Sequence, residues 1–202
     1  MKGLIVTADD FGAAPEVNAA VELAHREGIL TAASLMVGGA AVGDAIARAR
    51  RLPSLRVGLH LVLVDGRPLL PPAAIPDLVD ANGYLHRNLA AAGRALFFRP
   101  AARRQLAAEI EAQFAAFAAT GLPLDHVNAH HHFHVHPSVA RPLLAVGKRY
   151  GMRAVRVPVE PKAILHRIDP AASCRRDWLA GPWARLLGIR LRRAGVMTPA
   201  QV

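Results

Sequence analysis

Five short apolar runs, separated by stretches of helical periodicity, recur along the chain, and no other feature limits its fold as much. The runs cover 3–8, 32–37, 57–64, 124–129 and 154–159. Between them, 15–27, 40–51, 101–120 and 137–150 keep the spacing of helices that pack on one face. Pro15 suits a first helical turn, and Gly28, Gly121 and Gly151 stand where helices should stop. The run at 57–64 is nearly continuous Val and Leu, as a strand buried on both faces requires. Strand–helix alternation with short connections produces parallel strands, so the class is α/β. A barrel-like parallel sheet is expected rather than an open one. No G-x-G-x-x-G follows the first strand, which argues against dinucleotide binding. Residues 65–88, rich in proline, read as a long loop with a task of its own, such as a lid or a substrate wall.

The chain has 202 residues, enough for one domain with a sizeable core, and we read 1–202 as that single domain. Its hydrophobic fraction is 52% but its aromatic fraction only 5%, so Ala, Leu and Val must fill the core. No apolar run approaches the 18 or so residues of a membrane span. The short run after Met1 ends at Asp9-Asp10, and reads as a first strand in a cytoplasmic protein. The single cysteine, Cys174, cannot make an internal disulfide and reads as a bystander. The net charge of +10 gathers at Arg99, Arg103 and Arg104, and again at Arg175, Arg176, Arg185, Arg190, Arg192 and Arg193. No recognition motif accompanies it, so a solvated basic face is expected and a nucleic-acid partner is not.

Three of the strands end in residues able to bind a metal: Asp9-Asp10 after the first, His60 in the third, and the tract from His126 to His136 after the fourth. In α/β folds the C-terminal strand ends form the active-site face. Side chains two apart in a strand share a face. Leu59, Leu61 and Leu63 then pack outward while Gly58 and His60 face in. Val127 and Ala129 likewise oppose His126, Asn128 and His130. Asp9 and Asp10 can reach one site only if the chain bends there, and Gly12 permits a bend. Two histidines and a carboxylate suit a borderline divalent ion with positions left open for water and substrate. A second carboxylate beside them can act as general base.

At these residues the chain resembles the YdjC-like carbohydrate deacetylases, the ChbG/HpnK group. The resembling pieces are T-A-D-D-F-G at 7–12, G-I-L-T-A-A-S-L-M-V at 28–37, V-G-L-H-L at 57–61 and H-V-N-A-H-H-H-F-H at 126–134. The resemblance covers residues 3 to about 160. Its implications are a distorted (β/α) barrel, one divalent metal ion (Mg or Zn first), and hydrolysis of the N-acetyl group of an acetylated amino sugar or glycolipid. It places the metal ligands on Asp10, His60 and His130 and the catalytic base on Asp9. V-N-A-H-H-H-F-H-V-H-P and R-V-P-V-E-P resemble most the hopanoid-associated HpnK branch. A histidine of the tract, His132 or His134, is the expected proton donor.

Two departures accompany the resemblance. Asn128 stands where many members have Asp. The chain also lacks the family's late E-I-x-x-H-P segment with its further histidine, and its Arg-rich 162–202, including Trp178 and Trp183, follows no pattern that aligns. We therefore expect a barrel incomplete at its C-terminal side, low activity if the absent histidine is the acid, and either pairing with a second copy across an open edge or a stability markedly below that of a full-length relative. The alternative function is a non-catalytic remnant that binds metal or glycolipid.

Overall fold

The computed structural model describes residues 3–159, Arg167 and 177–199. Its strands are β1 (Thr7–Phe11), β2 (Ala32–Leu35), β3 (Arg56–Leu61) and β4 (Val127–Ala129), all parallel and ordered as they occur in the chain. Beyond β4, Val127 pairs in parallel with Val155, and Ala154 with Met197. The predicted fifth strand is thus present only as these single pairings. Each segment lies beside its predecessor, which is the order of a rolled barrel. A doubly wound open sheet instead reverses direction part-way. The expected α/β class holds.

The helices are α1 (Pro15–Glu27), α2 (Val42–Arg51), α3 (Leu89–Phe98), α4 (Pro100–Ala119), α5 (Pro137–Arg149) and α6 (Asp177–Arg193). α1 begins on Pro15 and carries His25 and Arg26 in its last turn, where cations oppose the helix dipole. α3 was not anticipated; Asn88 starts it by accepting a hydrogen bond from the Ala91 N–H at 3.0 Å. Leu106, Ile110, Phe114 and Phe117 of α4 are buried with Leu143 and Val146 of α5 in one core with the sheet. Each such side chain contributes about 1.5–3 kcal/mol by leaving water.

The predicted loop at 65–88 is irregular except for one 3-10 turn at Pro72–Ala74 and a Val79–Leu85 bridge. Its start is pinned from below. The buried Glu109 carboxylate accepts the N–H groups of Leu69 and Leu70 at 2.9 and 3.0 Å. Gln113 bonds both the N–H and the carbonyl of Val62. Among the described residues, no helix is long and apolar enough to cross a membrane. Of the first arginine cluster, Arg99 pairs with Asp77 and Arg103 binds the carbonyls at the end of α3. Cys174, Arg175 and Arg176 lie outside the described residues.

Candidate metal centre

β1 carries both aspartates within the strand rather than after it, a correction to the expected end at Ala8. The bend is made by Asp10 itself, which takes φ 58°, and the register with β2 shifts between Ala8 and Phe11. Gly12, at φ 97°, completes the turn. This kink sends the two adjacent carboxylates to different partners in one site.

Asp10 Oδ1 lies 3.1 Å from His60 Nε2 and 3.1 Å from His130 Nδ1, and those nitrogens are 3.5 Å apart. β1, β3 and the residue after β4 therefore deliver three ligand atoms to one point, and these three form a group that could hold a metal ion. Ligands bound at about 2.1 Å stand about 3.0–3.5 Å from one another in octahedral or tetrahedral shells, so the spacing fits a divalent ion. His60 is buried and Asp10 half-exposed, which leaves one side open to solvent. The His130 and His60 imidazoles, in that order, hold the Asp10 carboxyl far below the usual carboxylate range, and Asp10 in turn raises His130.

Asp9 turns the other way. Arg156 grips both its oxygens, Nη1 to Oδ1 at 3.0 Å and Nη2 to Oδ2, while Asn128 Nδ2 donates to Oδ1 at 3.0 Å. Burial pushes the Asp9 carboxyl upward more than any other single influence. Arg156, His60 and Asn128 together outweigh it and lower the carboxyl below its ordinary value. Arg156 enters the sequence reading only as the first residue of R-V-P-V-E-P, with no site role. Its signal was a lone cation among Val155, Val157 and Val159, on the opposite parity to the buried valines.

Among the described residues, four non-glycine residues have positive φ: Asp10, Asp65, His131 and His132. Asp10 lies in the cluster and the other three lie around it. Asp65 Oδ2 stands 3.3 Å from His131 Nε2, and these two with His130 form a second metal-capable group sharing one histidine with the first. Asp65 also pairs with Arg87. His134 does not serve the site as a proton donor. It is fully buried, its Nε2 donates to the Arg156 carbonyl at 2.7 Å, and burial pushes it down to about 4. His132 is exposed, within electrostatic reach of Asp9 and His60.

Fold and site together define an α/β protein with two histidines and a carboxylate at its strand ends and an arginine-held carboxylate beside them. The chain belongs to the YdjC-like protein family, whose model matches residues 3–202. It is 38% identical over 156 residues to a carbohydrate deacetylase of Brevibacillus brevis, covering 77% of this chain and 58% of that one. It is 36% identical over 161 residues to a chitooligosaccharide deacetylase of Yersinia pestis, covering 77% and 59%. A solved structure from Enterococcus faecalis V583, described as a candidate cellobiose-phosphate cleavage protein, superposes with a TM-score of 0.71 at 25% identity, covering 98% of this chain and 66% of that one. The chain thus spans under three-fifths of the length of these two deacetylases.

Proposed function

We propose that the chain hydrolyses the N-acetyl group of an acetylated amino sugar, releasing acetate and a free amine, with one divalent ion at Asp10, His60 and His130. The observation that carries this reading is the meeting of those three ligand atoms beside the Arg156-held carboxylate of Asp9. The deacetylase relatives support the substrate class. Two imidazoles favour Zn over Mg, which prefers oxygen ligands.

An ion bound there supplies Lewis acidity, which polarises the acetamide carbonyl and makes water acidic enough to attack near neutral pH. Asp9 accepts the proton of the attacking water. Arg156 keeps its carboxylate ionised and fixes both oxygens, so it is always available, though it is a weaker base than a free carboxylate. His132, exposed beside the cluster, is the proposed donor to the leaving amine. The finer proposal, from the wording at 126–137 and 156–161, is a lipid-linked amino sugar of the hopanoid type.

The test is acetate release from an N-acetylated chito-oligosaccharide and from a lipid-linked N-acetylhexosamine, before and after chelation. Release abolished by chelator and restored by Zn is the expected result. An ion held with no acetate released from either substrate would turn the reading to a binding protein.

A further inference from the structure

The polar groups behind the cluster form one hydrogen-bonded line with a single consistent direction. An ionised Asp125 can only accept, so His126 Nδ1 donates to it, at 3.0 Å. His126 Nε2 is then bare and accepts from the Ser34 hydroxyl at 3.0 Å. That hydroxyl accepts in turn from Asn128 Nδ2 at 2.8 Å. The second Nδ2 hydrogen goes to Asp9 Oδ1. Asn128 Oδ1 therefore faces His60 and accepts from its Nδ1 at 2.7 Å. A neutral imidazole that donates from Nδ1 carries its lone pair on Nε2, the nitrogen aimed at Asp10 and His130.

We propose that Asn128 is the positioning residue of this centre: its amide, oriented through Ser34, His126 and Asp125, sets His60 in the tautomer a cation needs and holds Asp9 beside it. This rests on the metal-ligand reading above. The amide is fully buried, as is Ser34, so neither can trade these partners for water. Turning the amide over would set Oδ1 against the Asp9 carboxylate and force a proton onto His60 Nε2, where the cation belongs. A carboxylate at 128 could still serve His60 but could donate nothing to Asp9. Room for the line comes from Gly58, since a Cβ there would meet the His126 ring at 2.6 Å. V-G-L-H therefore supplies both a ligand and the space that lets its orientation be controlled from β4.

The experiment has two parts. In metal-free protein labelled with ¹⁵N-histidine, the His60 shifts should show Nδ1 protonated whether or not the Asp10 carboxylate draws a second proton to Nε2; a bare Nδ1 overturns the proposal. Zinc competition titrations then compare variants. Asn128→Ala should weaken zinc about 10–100-fold, the usual loss for a partner of a metal-bound histidine, whereas Asn128→Asp should bind at least as tightly as the native chain. Equal weakening in both, as a packing defect would produce, overturns it, and so does no weakening in either. If the native chain takes up no zinc, the metal reading fails, while the nitrogen shifts still decide the tautomer. They need no variant, so a failure of Asn128→Ala to fold does not touch them.

Discussion

Asp9 and Asp10 are adjacent yet meet different partners within one site, because a backbone at φ 58° breaks the alternation of β1 that would send them to opposite faces. On the proposed reading this separates base from ligand, and the separation can be measured. Asp9→Asn keeps Asp10, His60 and His130 and should retain the ion, while deacetylation falls about 10²–10⁴-fold, the range for a general base. A variant that loses its ion instead would mean the two aspartates exchange roles. His134 supports a second prediction. It is buried and neutral, with its pKa pushed from 6.5 to about 4, so below pH 6.5 the unfolded chain takes a proton that the folded chain refuses. Stability from this residue is full above pH 6.5 and lost as pH falls toward 4, by up to roughly 3 kcal/mol. Urea melts across that window should show a shallower decline in His134→Gln than in the native chain. Parallel declines would remove His134 from the acid response.

At the level of elements, α4 positions the site without touching it. Glu109 and Gln113 hold the chain between Val62 and Leu70, which carries Asp65 to the rim of the cluster. Glu109→Leu leaves two backbone N–H groups without their acceptor and should cost about 2–4 kcal/mol in urea unfolding. A loss under 1 kcal/mol would mean that the loop stands without this anchor. The helix boundaries were legible where punctuation was strong: Pro15 and Gly28 bracket α1, and α5 starts on Pro137. α3 was not, because its ten residues lie beside a proline-rich loop and only Asn88 marks the start. The inward parity of Gly58, His60, His126 and Asn128 was legible from alternation, since period-two patterning survives in any strand. A bend at Asp9-Asp10 was expected, but not that Asp10 itself makes it, because positive φ is uncommon for any residue but glycine and Gly12 stood close by. Arg156 and Ser34 escaped for a related reason: their partners are 147 and 92–94 residues away, and nothing local announces such pairings.

Across the whole molecule, the sheet runs in chain order from β1 outward, and among the described residues β1 pairs only with β2. Leu4, Ile5 and Ile29 are exposed. An unpaired edge with apolar neighbours favours association, so light scattering should find a mass of two chains that falls on dilution. A single-chain mass at every concentration would count against pairing. The proposed metal centre stands or falls on the three ligand atoms brought together from separate strands. Elemental analysis of the isolated chain, beside His60→Ala and His130→Ala, tests this most directly. It should find close to one divalent ion per native chain and little in either variant. Undiminished metal in both variants would contradict the centre described here.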